Sequence, residues 1–372
     1  MRFPEFSGEW YSYPLTDFMS FKNGMNPDAK RFGHGTKFIS VMDILNNQFI
    51  RYDNIRASVE VIAGDIETYG VNYGDILFQR SSETLEDVGQ ANVYLDSKPA
   101  VFGGFVIRGK SKGNYHPMFF RYLLASPTAR KRIIVKGAGA QHFNIGQDGL
   151  SKVYLDIPSI QEQEKIAKLL ECIDDRIATQ NKIIERYESL IRGIAQHCIK
   201  ESTSGKTYVK LGDICQITTG KLDANAQVDN GIYPFFTCAE QPFKINSFAF
   251  DTEALLISGN GANLGYINYY KGKFNAYQRT YVLDLFSENI QYIKWALKVL
   301  LPKRIAIEKS SSNTPYIVLS TLTDLRLPIP CKSKQGFIAN LMQSLERKLS
   351  NQIAQYDSYN YLKQYLLRQM FI

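Results

Sequence analysis

The sequence predicts an α+β protein in which two similar mixed α/β domains are separated by two long antiparallel coiled-coil helices, as an internal pseudo-two-fold repeat. Three observations predict this fold. The stretches 158–200 and 330–372 carry apolar residues at heptad spacing. A strand-like run that ends in Ile-Pro leads into each stretch, at 155–158 and at 327–330. A constant offset of 172 residues (155 to 327) aligns residues on both sides of these points, which indicates a duplicated unit.

The two long helices are predicted over 158–200 and 330–372. Apolar residues recur at every seventh position of the first helix, at Leu170, Ile177, Ile184 and Ile191. At ~1.5 Å per residue, each helix would be a rod of roughly 60 Å that separates the domains. Gln180 and Gln352 are related by the same offset and interrupt a second apolar series near the middle of each helix. Antiparallel pairing would let the two amides meet, and polar residues in such a seam commonly fix helix register.

Residues 1–157 and 207–329 are predicted to form the two globular domains, and residues 201–206 a flexible polar linker. Short apolar runs between Gly and Asn residues favour a compact mixed fold. Strands are expected at 37–41, 75–78, 105–107, 254–257 and 281–283, and helices at 117–132 and 292–301. A short element at 15–18 matches 211–214 with an offset of 196, so the second copy lacks 24 residues (196 against 172).

The composition favours a polyanionic partner. The formal net charge is +8 and the pI is about 9.0. The five cysteines form no C-x-x-C pair, so neither a disulfide framework nor a zinc site is predicted. The N-terminus lacks the apolar core of a signal peptide, and no apolar run approaches the length of a membrane span. A cytoplasmic protein without a membrane partner is therefore expected.

Three short motifs carry a resemblance to a known family. They are the opening Arg2-Phe3-Pro4-Glu5-Phe6 with Trp10, the strand Gly74-Asp75-Ile76-Leu77, and the pattern Ile-Pro-x-x-x-x-Gln-x-x-Ile-Ala at the start of each long helix. The second start departs from the usual pattern, because Lys334-Gln335-Gly336 lacks a Glu before the Gln and places a Gly early in the helix. In this order the motifs resemble the specificity (S) subunit of type I restriction-modification systems.

The resemblance implies a non-catalytic, sequence-specific DNA-recognition subunit. Each globular domain would be a target-recognition domain that reads one half of a bipartite double-stranded DNA site. The helices would set the spacing between the halves and dock two modification (methyltransferase) subunits, which restriction subunits join. No cofactor would be bound by this chain; S-adenosylmethionine, ATP and Mg²⁺ would be used by the partner subunits.

The residues themselves favour no chemistry of their own. The single Asn-Pro, at Asn26-Pro27-Asp28, does not match the Asn/Asp-Pro-Pro-Tyr/Phe motif of adenine methyltransferases. No phosphate-binding loop of the G-x-x-x-x-G-K-[ST] type is present, and the four histidines lack metal-ligand spacing. No catalytic or metal-binding residue is therefore predicted. A stand-alone nuclease and a coiled-coil scaffold without DNA specificity remain the alternatives.

Candidate DNA contacts lie in loops that follow matched strands, because Lys and Arg suit phosphates while Asn, Gln and Arg suit base edges. In the first domain they are Gln79, Arg80, Ser81 and Ser82 in one loop and Lys136, Gln141 and His142 in another. In the second domain they are Ser258, Asn260 and Asn263 in one loop and Lys309, Ser310 and Asn313 in another. Further candidates outside these loops are Lys22, Lys30, Arg31, Lys221 and Arg279.

Overall fold

The computed structural model describes residues 2–139, 141–203, 208–309 and 316–371. By its internal contacts the chain divides into two units. The first unit comprises Met1–Asn181 with Gln355–Ile372, and the second comprises Lys182–Ala354. Each unit therefore contains one predicted globular domain together with a part of both long helices.

The first unit is a mixed α/β fold. Its strands are β1 (Tyr11–Pro14), β2 (Met19–Asn23), β3 (Phe32–Ile39), β4 (Ser58–Val59), β5 (Ile76–Gln79), β6 (Ser81–Ser82), β7 (Ala91–Val93), β8 (Val101–Phe102), β9 (Val106–Ser111), β10 (Phe143–Asn144) and β11 (Tyr154–Ile157). Its helices are α1 (Val41–Asn46), α2 (Asp65–Tyr69), α3 (Pro117–Ala125), α4 (Pro127–Ile134) and α5 (Gln147–Ser151), followed by the long helix α6 (Ile160–Thr203), which continues into the second unit.

The second unit repeats this arrangement with longer strands. Its strands are β12 (Tyr208–Lys210), β13 (Gln216–Thr219), β14 (Tyr233–Phe236), β15 (Phe243–Ile245), β16 (Phe250–Ser258), β17 (Ile267–Ala276), β18 (Thr280–Asp284) and β19 (Arg326–Pro328). Its helices are α7 (Ile290–Lys309), α8 (Leu319–Thr323) and the long helix α9 (Lys332–Gln369), which continues into the first unit.

The sheets confirm the predicted duplication. The main sheet has the order β2-β9-β5-β7 in the first unit and β13-β18-β16-β17-β14-β15 in the second. An antiparallel ribbon, β1 with β11 or β12 with β19, joins the start of each domain to the strand before its long helix. The N–H of Leu15 donates to the carbonyl of Val153 at 3.0 Å, and the N–H of Leu211 donates to that of Leu325 at 2.9 Å. The matched elements therefore make matched hydrogen bonds.

The two sheets differ at one strand, which is continuous as β17 but is split into β7 and β8 in the first unit. The segment between β7 and β8 contains Pro99, which has no N–H for a ladder. It also contains Asp96, whose carboxylate accepts the N–H groups of Lys98 at 3.1 Å and Tyr52 at 3.0 Å and so forms a turn. As a result β8 pairs with β3 in a separate sheet with β4.

Both long helices contribute to the largest hydrophobic core of each unit, and their contacts within each unit are antiparallel. In the first unit, Ile166 near the start of α6 shares a core with Met370 at the end of the chain. In the second unit, Ile199 near the end of α6 shares a core with Ile338 near the start of α9. The helices are therefore stabilised mainly by burial of their apolar faces.

Two elements of the first unit differ from the sequence-based prediction. The strand expected at 37–41 ends at Ile39, because Ser40 and Asp43 form a capping box that starts α1. The helix expected at 117–132 is two helices, because Pro127 cannot donate a backbone hydrogen bond. Ser126 caps the second of them by accepting the N–H of Ala129 at 3.3 Å.

Three further boundaries also differ. The helix expected at 292–301 extends over Ile290–Lys309 and contains Pro302, because Leu301 and Ile305 on either side still pack into the core. Helix α6 continues to Thr203, into the predicted linker 201–206, because no Gly or Pro lies between Gly193 and Gly205. Residues 204–206 lie outside the described part. Helix α9 begins at Lys332, so Gly336 lies inside it.

Candidate nucleic-acid interface

The structure brings the two predicted loops of the first unit together. Strand β6 pairs antiparallel with β10, so Ser81 lies opposite Asn144, and the Ser81 hydroxyl donates to the Asn144 side chain. The N–H of Ile145 donates to the carbonyl of Arg80 at 2.9 Å. Ala138 and Asn144 exchange two backbone hydrogen bonds of 2.9 Å, which close the second loop. The candidates in both loops therefore belong to one surface.

The candidate side chains on this surface differ in exposure. Lys136, Gln141 and His142 are exposed, and Arg80, Ser81 and Ser82 are partly exposed. Gln79 is only 5% exposed, and its Nε2 donates to the carbonyl of Ser81 at 2.9 Å. The Gln79 side chain is therefore folded under its own loop, and its contact with DNA stays a prediction.

The three candidates outside these loops fall into two groups. Lys22 and Lys30 are exposed, and the Lys22 ammonium lies 5.6 Å from the ring centre of Tyr69. The Arg31 guanidinium instead donates to the carbonyl of Glu60 at 2.7 Å and pairs with Asp65. The N–H of Ile62, and secondarily Arg31, hold the pKa of Asp65 below its usual value. Arg31 is thus occupied within the fold.

In the second unit, three predicted residues come close to one another around Cys238, and a fourth lies on a neighbouring segment. The Asn260 side chain contacts the Cys238 thiol at 3.0 Å, and Asn263 Nδ2 donates to the Cys238 carbonyl at 3.0 Å. The exposed Arg279 precedes β18, and its carbonyl accepts the N–H of Gly259 at 2.8 Å. Lys221 is exposed beside Leu222, which bridges to Tyr277 close to Arg279 in the chain.

The remaining candidates of the second unit are less exposed or are not described. Ser258 is 2% exposed at the end of β16, and its backbone bonds to Tyr266 and Gly265, so a direct DNA contact by its side chain is not supported. Lys309 ends α7. Ser310 and Asn313 lie outside the described residues.

In the second unit, the chain at Ile317 bonds back to the loop that follows β16. In the first unit, Ile145 bonds back in the same way to the loop that follows β5. The N–H of Ile317 donates to the carbonyl of Gly259 at 2.9 Å, just as the N–H of Ile145 donates to that of Arg80. The Tyr281 hydroxyl donates to the Ile317 carbonyl at 2.9 Å, and burial raises the pKa of this hydroxyl. Ile145 and Ile317 therefore make matched bonds to the loops that follow β5 and β16.

Sequence reasoning missed three residues of these surfaces. Cys238 had no motif to mark it, and Asn144 lies two residues after the last candidate of the second loop, His142. Phe105 was assigned to a strand, whereas the strand begins at Val106 and Phe105 is 69% exposed in the preceding turn. The adjacent glycines Gly103 and Gly104 could have indicated that Phe105 lies in a turn, because paired glycines interrupt strands.

The predicted register residues lie in different units. Gln180 belongs to the first unit and is 5% exposed, while Gln352 belongs to the second and is partly exposed. Their pairing stays a prediction. Among the described residues, no group of three His, Cys, Asp or Glu side chains is arranged to hold a metal ion. No helix of the described part is both long and apolar enough to cross a membrane.

Two related units that each present exposed polar and cationic loops define a duplicated recognition protein. Residues 7–189 and 203–356 match the family model described as "Type I restriction modification DNA specificity domain". The chain therefore belongs to this family.

Similar proteins agree with this family. The type I restriction enzyme EcoDI specificity subunit of Escherichia coli is 44% identical over 137 residues, which cover 37% of this chain and 30% of that subunit. The match therefore spans less than a third of that relative. A putative type I specificity subunit of Mycoplasma pneumoniae is 25% identical over 55% of this chain and 86% of its own length. The fold is shared with the type I S subunit from M. genitalium, with a TM-score of 0.63 and 17% identity over 100% of this chain and 99% of that one.

Proposed function

We propose that this chain is the sequence-specific DNA-recognition subunit of a type I restriction-modification complex. Each globular domain reads one half of a bipartite site in double-stranded DNA. The long helices set the spacing between the halves and dock two modification subunits, which restriction subunits join. The chain itself is not catalytic and binds no cofactor, while S-adenosylmethionine, ATP and Mg²⁺ serve the partner subunits.

The observation that carries this proposal is one scaffold with two different surfaces. The bonds from Ile145 to Arg80 and from Ile317 to Gly259 hold the loops in the same way. The side chains on those loops differ: Arg80 and Ser81 of the first unit correspond to Gly259 and Asn260 of the second. Retained backbone geometry with changed polar side chains is what two half-sites of different sequence require.

Charge and relatives support the same proposal. The net charge of +8 favours a polyanion. A chain with the same fold, with a TM-score of 0.61 and 14% identity, comes from a structure of "complex assembly and conformational transition of the type I R-M system". Family membership favours recognition over both the stand-alone nuclease and the scaffold without DNA specificity.

The test is the methylation pattern of DNA from cells that carry this chain together with its modification partner. We expect N6-methyladenine at one bipartite motif, and loss of that methylation when the chain is deleted. Exchange of residues 1–157 for those of a relative should change one half of the motif only. Exchange of residues 207–329 is the matched control and should change the other half. Unchanged methylation after deletion, with the partner active, would contradict the proposal.

A further inference from the structure

Phe105 and Arg279 occupy equivalent positions in the two units. Each directly precedes the strand that pairs with both neighbours in the main sheet, β9 and β18 respectively. The N–H of Arg80 donates to the carbonyl of Phe105 at 2.9 Å, and the N–H of Gly259 donates to that of Arg279 at 2.8 Å. One backbone position beside the recognition loop thus presents an aromatic ring in one unit and a guanidinium in the other.

In the first unit this position borders an apolar cleft of about 440 Å³. Aromatic and aliphatic side chains line it, together with Ser81 of the recognition loop. Phe105 is 69% exposed and Met42 is 59% exposed, while Phe38 is buried at the base. An apolar cleft therefore lies directly against a polar and cationic surface. Continuity through Ser81 makes it part of the proposed DNA-facing surface.

The cleft wall is fixed by the backbone. The N–H of Gly103 donates to the Ile39 carbonyl at 3.0 Å, and the Arg80 guanidinium donates to the Gly104 carbonyl at 3.3 Å. A Cβ at Gly103 would lie 2.7 Å from the Phe38 ring, so a larger residue there would disturb the wall. The backbone that carries Phe105 is thus fixed by several bonds, whereas the exposed Phe105 side chain adds little to the core.

DNA offers one apolar group that suits such a cleft. The 5-methyl group of thymine is the hydrocarbon feature that base pairs display in the major groove, and apolar side chains read it by contact. We propose that Phe105 and its cleft bind the methyl group of a thymine and so read an A·T pair in the half-site of the first unit. This inference rests on the proposed function. Arg279 at the equivalent position would instead suit guanine.

A second use of an exposed Phe is insertion between base pairs in the minor groove, as in architectural proteins. A wedge projects from a convex surface, whereas Phe105 borders a concavity that Met42 and Phe32 also line. The concave shape favours reception of a projecting group such as a methyl. Insertion is one outcome of the test below.

The test measures DNA affinity of the complex of this chain with its modification subunits. Duplexes carry the methylated motif with deoxyuridine in place of each thymidine of the first half-site in turn, because uracil lacks only the methyl group. The wild-type complex should bind about fourfold more weakly at one such position, the value expected for one buried methyl group. Phe105→Ala should bind the thymidine and deoxyuridine duplexes equally, and Phe105→Leu should retain part of the difference.

Tyr73→Ala is the matched control, because Tyr73 is an aromatic residue, 63% exposed, at the opposite end of β5 from the recognition loop. It should keep the full difference between the two duplexes. Equal wild-type binding to all duplexes, or an unchanged difference in Phe105→Ala, would overturn the methyl contact. The complex could instead bind thymidine and deoxyuridine duplexes equally, while 2-aminopurine placed in the half-site is unstacked by the wild type but not by Phe105→Ala. That result would identify Phe105 as a side chain that inserts between base pairs. Absence of any site-specific wild-type binding would overturn the proposed function, and this inference with it.

Discussion

A carboxylate occupies the same position of both long helices, but its partners differ between the units. Asp174 on α6 and Glu346 on α9 are related by the offset of 172 residues (174 to 346). Asp174 accepts the Tyr122 hydroxyl at 2.8 Å and pairs with Lys363 of α9 at 2.6 Å. Its cation therefore comes from the opposing long helix, and the ion pair joins α6 to α9 within the first unit.

Glu346 takes its cations from α7 instead. Lys294 lies at 2.8 Å and Lys298 at 3.2 Å. The position that corresponds to Lys363 is Ile191, which is buried in the core of the second unit. The duplication has thus kept the carboxylate and exchanged its partners, so a single-residue change should have unequal consequences in the two units.

The largest expected effect is that of Lys363→Ala. Asp174 is 5% exposed, so the variant leaves a buried carboxylate without its cation. We expect a loss of about 3 kcal/mol in the free energy of unfolding of the first unit. Lys294→Ala should cost only about 1 kcal/mol, because Glu346 is more exposed and keeps Lys298. Denaturant unfolding, monitored by hydrogen exchange in each unit, measures both losses.

Arg368→Ala provides the control for Lys363→Ala, because it removes an exposed cation from the same helix. It should change stability by a few tenths of a kcal/mol at most. Equal losses in Lys363→Ala and Lys294→Ala would show that the partner exchange has no energetic consequence.

The glutamines at the helix starts are the opposite case, because their contacts have been retained. Gln163 Oε1 accepts the N–H of His116 at 3.0 Å and its Nε2 donates to the Pro158 carbonyl at 3.0 Å. Gln335 makes the same two contacts, with the N–H of Asn289 at 3.0 Å and the Pro330 carbonyl at 2.8 Å, and its Nε2 also donates to the Glu288 carboxylate at 2.6 Å. Each glutamine joins the start of a long helix to the residue just before a shorter helix.

Gln163→Leu and Gln335→Leu should therefore have similar effects on the two contacts that the glutamines share. Each variant leaves a backbone N–H and a carbonyl unpaired, which costs about 1–2 kcal/mol. Hydrogen exchange at the freed amides, His116 in one variant and Asn289 in the other, should accelerate by matching factors. The amide that the other glutamine protects is the internal control in each variant. Acceleration in only one variant would mean that the two contacts are not equivalent.

The fold could be predicted from the sequence because the residues that hold each repeat together recur at the same positions in both copies. The Ile-Pro starts, the heptads and Gln163 with Gln335 survive duplication, since each closes a bond or fills a core position. The proximity of the two loops of the first unit is consistent with their prediction as a pair. The predicted boundaries of strands and helices were wrong where a helix cap or a proline started a new element, as at Ser40 and Pro127.

The details of the site were less predictable, because exposure depends on tertiary contacts. Gln79 and Arg31 have suitable chemistry, but one lies beneath its own loop and the other is paired with Asp65. Phe105 corresponds to Arg279 at an offset of 174 (105 to 279), not 172, so the helix-derived offset does not align them. The equivalence becomes visible only through the hydrogen bonds of their carbonyls.

The smallest expected effects are those of variants at two neighbouring cationic residues of the first unit, Lys30 and Arg31. Lys30 is exposed, whereas Arg31 bonds to Glu60 and Asp65. Lys30→Gln should lower the slope of log affinity against log salt by about 1, because one phosphate contact is lost. Arg31→Gln should leave that slope unchanged and should cost at most about 1 kcal/mol of stability at pH 7.

The pH dependence of stability provides an independent check on Arg31. The pKa of Asp65 is lowered from its usual 3.8, first by the N–H of Ile62 and then by Arg31. Both partners therefore contribute stability above that value, and this stability is lost as the pH falls through the lower folded pKa. The stability difference between wild type and Arg31→Gln should therefore shrink as the pH falls below about 4. Denaturant midpoints at pH 7 and at acid pH measure this difference. A lower salt slope in Arg31→Gln, with a stability difference independent of pH, would mean that Arg31 leaves Asp65 to bind DNA.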